Sequence, residues 1–327
     1  MFNDLFFNFT NNEWMQPALA SCHVLKWIGI YLCFTFIFGV CLNAIVLIIL
    51  LQNKRRRSPI DIFIIALCFA DLLDALLGIP LSLTSNLACR WLYGKYLCYY
   101  EGFITYFVGM VGLYLLTALS LNRYWKIVTP TKEKYVTFQT AYISIILSVL
   151  GGLFWALPPI FGWNNYELEG VRTTCSICWQ DRTINVISYN VLMFIFAYTI
   201  PLIIMVYCNI CIYLKVHENS RAQMAWNTIK NSSKSVAFTI AWTPYAIVAF
   251  ISSFFSPDLI PPLGGTIPAI FAKSSIYFNP FIYIMSNSYM RSKLFHIRKN
   301  TRRTPTNSDS LKDNNKQSVS LKYLEIS

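Results

Sequence analysis

The sequence predicts an all-α membrane protein: a seven-transmembrane helix bundle with its N-terminus outside and a short amphipathic helix after the seventh span. Three observations predict this. Of the 327 residues, 55% are hydrophobic and only 13% are charged, and seven long apolar runs follow one another, whereas a soluble domain carries about 25% charged residues. Lipid leaves no backbone group unsatisfied, so such runs cross it as helices. The sequence shows no apolar–polar alternation with a period of two, the pattern of a membrane-spanning β-barrel.

Each apolar run approaches or exceeds the roughly 20 residues that a spanning helix needs. The predicted spans are residues 27–51, 60–84, 98–121, 141–161, 186–214, 235–255 and 262–286. The expected organisation is therefore an extracellular segment 1–26, a transmembrane domain 27–286, a membrane-surface helix 287–299 and a disordered cytoplasmic tail 300–327. The alternative for 287–299 is a disordered basic stretch.

The net charge of +12 is concentrated on one side of the predicted bundle. Basic residues follow the first, third, fifth and seventh spans, and the opposite loops hold few. The positive-inside rule places the basic side in the cytoplasm, so we expect an integral protein of the plasma or a photoreceptor membrane, with membrane lipid and not nucleic acid as its surroundings. The basic residues concerned are Lys54, Arg55, Arg56, Arg57, Arg123, Lys126, Lys132, Lys134, Lys215, Arg221, Lys230, Lys234, Arg291, Lys293, Arg298, Lys299, Arg302 and Arg303.

The N-terminal segment carries Asp4 and Glu13 and lacks a basic-then-apolar signal pattern, so the first span is the expected anchor. Asn8-Phe9-Thr10 is a glycosylation sequon on the predicted outer side. Asn8 is therefore the expected glycosylation site.

Lys273 lies near the middle of the seventh span, where a lysine costs roughly 2.5–3.5 kcal/mol to insert. Its side chain cannot reach either membrane face, which lies roughly 15–20 Å away at 1.5 Å per residue. Two interpretations remain open from burial alone. Lys273 forms an ion pair that holds helices together, or it is a neutral, nucleophilic amine able to condense with an aldehyde.

Glu101, near the outer end of the third span, is the natural partner of Lys273, and Glu169, in the loop after the fourth span, is the second candidate. Asn43, Asp71 and Asn279 are polar residues within the first, second and seventh spans. They are expected to form an internal polar network or, alternatively, simple helix–helix hydrogen bonds. No cysteine pattern predicts a metal site, and the roles of Cys22, Cys89 and Cys178 are not assigned.

Several motifs recur at fixed places along the spans. Lys273 stands six residues before Asn279, and Cys98 and Arg123 are 25 residues apart, so they reach opposite faces. With these motifs the chain resembles the opsins, a branch of the rhodopsin-like G-protein-coupled receptors, of an invertebrate or non-visual type. The motifs are Leu67-Cys-Phe-Ala-Asp71, Cys98-Tyr-Tyr-Glu101, Asn122-Arg123-Tyr124, Glu169–Cys175, Trp242-Thr-Pro244-Tyr245, Phe271-Ala-Lys273 and Asn279-Pro280-Phe-Ile-Tyr283.

The resemblance implies retinal, 11-cis or all-trans, bound covalently to Lys273 as a Schiff base, with Glu101 as counterion and Glu169 as second candidate. It also implies a disulfide between Cys98 and Cys175. The implied pocket residues are Gly109, Met193, Phe238, Trp242, Tyr245 and Ala269; plain bundle packing is the alternative for its aromatic members.

The implied function is that of a light-sensing receptor and not of an enzyme. Photoisomerised retinal presses on Trp242, the sixth helix pivots at Pro244, and the inner end opens to a heterotrimeric G protein. Arrestin and a receptor kinase are expected partners of the tail. The implied coupling and activation residues are Asn122, Arg123, Tyr124, Asn279, Pro280 and Tyr283.

The chain departs from the family pattern at the inner side. Asn122 replaces the usual acid before Arg123, which predicts a looser resting state, and Asn209 replaces a usual tyrosine, which predicts a weaker active state. Lys230 and Lys234 stand where the sixth helix is commonly more apolar. These departures leave open an opsin-type retinal photoisomerase with little signalling. A receptor for a diffusible ligand is a more distant alternative.

Overall fold

The computed structural model describes residue 14 and residues 16–52, 57–218, 222–256, 259–287 and 290–294, with side chains in the fourth segment from residue 237 onward. Asn8, the basic residues Lys54–Arg56, Arg221 and the tail after residue 294 lie outside the described residues, as do the side chains of Lys230 and Lys234. The predictions for them therefore stay predictions. The chain clusters into two compact units, Met1–Ser286 and Asn287–Ser327. In the second, residues 290–294 are helical.

The helical bundle predicted from the sequence is confirmed. Every predicted span is helical over most of its length, and most helices extend beyond the apolar run. The fourth ends at Ala156, short of the predicted residue 161, because Pro158 and Pro159 follow. The helices are α1 Cys22–Gln52, α2 Pro59–Leu87, α3 Gly94–Ile127, α4 Phe138–Ala156, α5 Ile184–Glu218, α6 Ala222–Phe254, α7 Pro262–Lys273 and α8 Ser275–Ser286.

The seventh predicted span is not one helix but two. Six helices in the described part of the chain are long and apolar enough to cross a membrane, whereas α7 and α8 have 12 residues each. They meet at Ser274, whose backbone N–H donates to the carbonyl of Phe271 at 3.0 Å, three residues back and not four. The break directly follows Lys273, so the helix of the seventh span is interrupted next to the buried lysine.

Two other helices contain wider, π-helical turns, at Asp74–Gly78 in α2 and at Met193–Thr199 in α5. Each turn lies shortly before a proline, Pro80 or Pro201. A proline lacks the N–H that the helix would use and its ring crowds the preceding turn, and a local change of pitch relieves both. Such turns are frequent at functional sites, and both helices contribute to the site described below.

A two-stranded hairpin covers the outer end of the bundle. Strands β1, Tyr166–Glu169, and β2, Thr174–Ile177, pair antiparallel with Leu168 opposite Cys175. The disulfide Cys98–Cys175 fastens β2 to α3, and all four β2 residues are buried. The tight turn requires Gly170 (φ +56°), where a Cβ would lie 2.2 Å from Thr266 Oγ1. The hairpin is therefore fixed against both α3 and α7.

Helix α3 occupies the centre of the bundle and contacts α2, α4, α5, α6 and both strands. Large apolar side chains on the outer surface of the bundle remain exposed, for example Phe34, Phe154 and Ile203 at 57–61%. A soluble monomer rarely exposes such a surface, and lipid covers it in an integral membrane protein.

Candidate functional site

Lys273 is buried at the end of α7 and forms an ion pair with Glu101 of α3. Its Nζ donates to Glu101 Oε1 and to Ser82 Oγ, both at 2.9 Å. The exposed fraction is 6% for the Lys273 side chain and 0% for that of Glu101. The structure thus brings together the two residues that the sequence singled out, and it adds Ser82 of α2, which the sequence did not indicate.

The Glu101 carboxylate accepts hydrogen bonds from three elements: from Lys273 of α7, from α2 and from strand β2. Oε1 accepts one from Ser82 Oγ of α2 and another, at 3.0 Å, from Thr174 Oγ1 of β2. Oε2 accepts from the backbone N–H of Cys175 of β2 at 2.9 Å. A buried charge is costly unless it is paired and hydrogen-bonded, and this arrangement satisfies both conditions. The Cys98–Cys175 disulfide therefore also holds a donor against the carboxylate, because Cys175 supplies that N–H.

Glu169 ends strand β1 and lines the same cavity as Lys273. Its Oε1 accepts from Tyr245 Oη at 2.8 Å, and the same hydroxyl lies 2.8 Å from Ser176 Oγ and 3.1 Å from Trp179 Nε1. Burial raises the pKa of the Glu169 carboxyl from 4.5 to about 7, against the opposing effects of the Tyr245 hydrogen bond and the charge of Lys273. Glu101, not Glu169, contacts the lysine.

A cavity lies beside Lys273. Five of the six pocket residues that the resemblance implies line it: Gly109, Phe238, Trp242, Tyr245 and Ala269. Met193 is not among the lining residues: it lies at the start of the π-helical turn of α5, buried in a cluster with Trp179 and Tyr189. Two further lining residues, Asp74 and Thr105, were not indicated by the sequence.

Trp242 fills the inner side of the cavity. A Cβ on Gly109 would lie 2.8 Å from the Trp242 ring, so the glycine makes room for it. Phe238 stacks on the ring with 5.6 Å between centroids, and the indole N–H donates to Ser275 Oγ at 3.1 Å. Trp242 therefore links α6 to α3 and to the start of α8.

The expected inner polar network forms only in part. Asn279 Nδ2 donates to Asp71 Oδ2 at 3.4 Å. Asn43 instead donates to two backbone carbonyls, those of Gly39 and Ile276, at 2.8 Å each, so it ties α1 to α8 without contacting Asp71. Pro280 lies inside α8.

At the inner end, Asn122 and Arg123 are buried at 2% and 4% exposure. Asn122 Nδ2 donates to the carbonyl of Ala118 at 2.9 Å, and the Tyr124 ring lies 6.0 Å from that of Tyr207. Tyr283 Oη donates to Asp61 Oδ1 at 2.9 Å, a contact between α8 and α2. These residues of the two expected inner motifs are thus buried or in contact with a neighbouring helix.

A second disulfide, Cys22–Cys89, joins the start of α1 to the loop between α2 and α3. Sequence reasoning assigned no role to either cysteine, and the outer position of both was the only signal available. No group of three or more His, Cys, Asp or Glu side chains suited to a metal ion occurs within the described residues.

Comparison with known proteins agrees with this geometry. The family model described as 7 transmembrane receptor (rhodopsin family) matches residues 42–283. The chain is 33% identical to the visual pigment-like receptor peropsin of Homo sapiens over 81% of this chain and 82% of that protein. It is 30% identical to parapinopsin of Ictalurus punctatus over 87% and 86%.

A solved structure gives the same result in three dimensions. The crystal structure of squid rhodopsin superposes with a TM-score of 0.75 at 29% identity, covering 84% of this chain and 80% of that one. The family consists of receptors that signal from within the membrane. The chain belongs to the rhodopsin family of seven-transmembrane receptors, and within it to the light-sensing opsins.

Proposed function

We propose that this receptor detects light through retinal bound covalently at Lys273, with Glu101 as the counterion, and that it signals to a heterotrimeric G protein. The observation that carries the proposal is the buried Lys273–Glu101 pair beside the cavity. Names of its relatives, among them rhodopsin, pinopsin and parapinopsin, support a retinal chromophore of this kind.

The residues around the cavity fit such a group. Aromatic rings from α6 and small residues from α3 and α7 give the cavity the apolar lining that a polyene needs, and Lys273 supplies an amine for an aldehyde. Ligand sites are mostly apolar with a few placed polar groups, and this cavity has that character. When bound, retinal supplies the absorption of light and a change of shape on photoisomerisation.

Glu101 keeps the positive charge on the Lys273 nitrogen in a dry site. Its three protein donors orient the carboxylate, and the β1–β2 hairpin shields it from extracellular water. Opposite charges a few ångströms apart interact strongly where the dielectric constant is low. The pair therefore stabilises the resting arrangement of α3 against α7, and a change that separates the two charges weakens it.

Trp242 couples the cavity to α6. The ring packs on Gly109, and Pro244 lies two residues further along the same helix. A proline inside a helix removes one hydrogen bond and provides a pivot. Displacement of the Trp242 ring therefore moves α6 relative to α3 and changes the inner surface around Arg123. Light thus shifts a two-state packing of the bundle.

The test is a spectrum followed by a signalling assay. Parent protein regenerated with 11-cis-retinal should show a light-sensitive visible band and light-dependent nucleotide exchange on a G protein. Lys273→Ala should show only the free-retinal spectrum and no light response, whereas Lys95→Ala, at an exposed lysine near the outer end of α3, should match the parent. A parent-like band in Lys273→Ala would exclude covalent attachment there. Isomerised retinal without nucleotide exchange would instead favour an opsin-type photoisomerase.

A further inference from the structure

Asp74 is a buried carboxylate within the membrane that borders the same cavity as Lys273, as Asp71 and Glu169 also do. It begins the π-helical turn of α2 and is 5% exposed. Lys273 lines the same cavity. Nothing in the sequence pattern distinguishes Asp74 from an acid that pairs elsewhere.

The surroundings of Asp74 are built to hold its carboxylate in place. Thr105 Oγ1 of α3 donates to Asp74 Oδ1 at 3.0 Å. A Cβ on Gly78 would lie 2.5 Å from that oxygen and 2.7 Å from Thr105 Oγ1, so the glycine leaves the space in which the two meet. Thr105 is four residues beyond Glu101 on α3, which places the Asp74 carboxylate roughly 6 Å inward from Glu101.

The two carboxylates differ in how their oxygens are used. Glu101 accepts from Ser82, Thr174, the Cys175 N–H and Lys273. Asp74 accepts one hydrogen bond from the described residues, that of Thr105, and it borders the cavity. Asp74 is therefore the less saturated of the two acids.

We propose that Asp74 is the reserve counterion of the site: it stabilises the positive charge on the Lys273 nitrogen whenever Glu101 is neutral or turned away. This inference rests on the proposed function. A buried cation cannot remain charged without a compensating anion. Asp74 supplies that anion from α2, whereas Glu101 supplies it from α3. Asp71, one turn further inward, is hydrogen-bonded to Asn279, and Glu169 is held by Tyr245.

The experiment compares three proteins regenerated with 11-cis-retinal at one neutral pH. In Glu101→Gln, Asp74 should keep much of the pigment in the visible-absorbing, protonated form. In Glu101→Gln/Asp74→Asn, the ratio of visible-absorbing to near-ultraviolet-absorbing pigment should fall about tenfold, equivalent to one pKa unit at the nitrogen. Glu101→Gln/Glu169→Gln is the matched control, because it also removes a second cavity-lining acid, and it should resemble Glu101→Gln.

Denaturation in acid in the dark separates this inference from the proposed function. Acid protonates every retinal–lysine linkage whatever the pocket contains, so it measures the amount of covalent adduct. Absence of adduct in the parent contradicts the proposed function. If all proteins carry the adduct, either of two results overturns the role of Asp74. One is a near-ultraviolet band already in Glu101→Gln, and the other is an unchanged visible band in Glu101→Gln/Asp74→Asn. Loss of the visible band in the Glu169 control alone assigns the role to Glu169 instead.

A second variant decides the matter if the double substitution does not fold, as judged by thermal unfolding of the protein without retinal. Glu101→Gln/Thr105→Val keeps both the charge and the size of Asp74 but removes its only donor in the described structure. We expect a lower visible share than in Glu101→Gln. An unchanged share would contradict the proposed placement of Asp74.

Discussion

Lys273 is a cation that a lipid-embedded helix would not keep without a partner, and Glu101 supplies that partner at 2.9 Å. Both oxygens of the Glu101 carboxylate have hydrogen-bond donors. Ser82, Thr174 and the backbone of Cys175 satisfy the carboxylate, so both charges remain buried. Removing Glu101 alone takes away the only acid in direct contact with Lys273 among the described residues, and breaking one side of a buried pair is the costly case.

Glu169 gives a pH-dependent prediction at the residue scale. Its pKa is about 7 in the folded protein against the usual 4.5, so between these values the folded form holds a proton that the unfolded form has lost. The free energy of unfolding therefore falls as pH rises through this window and levels off above 7. The upper limit is about 1.4 kcal/mol per pKa unit, and partial exposure reduces it.

Thermal unfolding of the protein without retinal, measured between pH 5 and 7.5, checks this. Glu169→Gln keeps an acceptor for the Tyr245 hydroxyl but cannot titrate. The difference in unfolding temperature between parent and variant should change steadily in favour of the variant as pH rises. A difference that is constant across the range would show that Glu169 does not carry a raised pKa.

At the scale of elements, the contact of α3 with α6 depends on a small residue. A Cβ at Gly109 would lie 2.8 Å from the Trp242 ring, whereas one at Gly112, a turn along α3, would lie 3.8 Å from Phe238. Gly109→Ala should therefore cost about 1–3 kcal/mol by overpacking, of which alanine's helix propensity returns up to about 1 kcal/mol. Gly112→Ala should be neutral or slightly stabilising.

Apparent unfolding temperature and the absorption maximum of the regenerated protein report both effects. We expect Gly109→Ala to lower the unfolding temperature and to shift the absorption maximum, because Trp242 must move. We expect Gly112→Ala to leave both quantities near the parent values. Equal behaviour of the two variants would mean that Trp242 is not held against α3 as the structure has it.

The spans themselves followed from the sequence because lipid imposes one rule, an apolar run of sufficient length, on every crossing segment. The break at Ser274 and the wider turns before Pro80 and Pro201 did not follow, because they depend on backbone hydrogen bonding in detail. The pairing of Lys273 with Glu101 was predictable since buried charges need partners. Ser82, Thr174 and Asp74 were not, because neutral and acidic residues on α2 and β2 gain their roles only from the way the elements meet.

At the scale of the whole molecule, we expect the inner end of α3 to bias the equilibrium between resting and active packing. Asn122 is 2% exposed, and its Oδ1 has no hydrogen-bond partner within the described residues. Asn122→Asp would place a carboxylate next to Arg123 and stabilise the resting state. We expect nucleotide exchange in the dark to fall about threefold to tenfold, equivalent to about 0.6–1.4 kcal/mol.

Asn122→Ala, which adds no charge, is the control and should not lower the rate of nucleotide exchange in the dark. A rate in Asn122→Asp equal to that of the control would contradict the prediction.

Peptide mapping after borohydride reduction tests the attachment of retinal to Lys273 most directly. Trypsin cuts after Lys234, Lys273 and Arg291, so unmodified protein yields peptides 235–273 and 274–291. Reduction fixes a retinyl group on the lysine and blocks the middle cut. Regenerated protein reduced in the dark should yield the single peptide 235–291 carrying one retinyl group. Recovery of unmodified 235–273 from protein that shows the visible band, with the retinyl group on another peptide, would contradict the account.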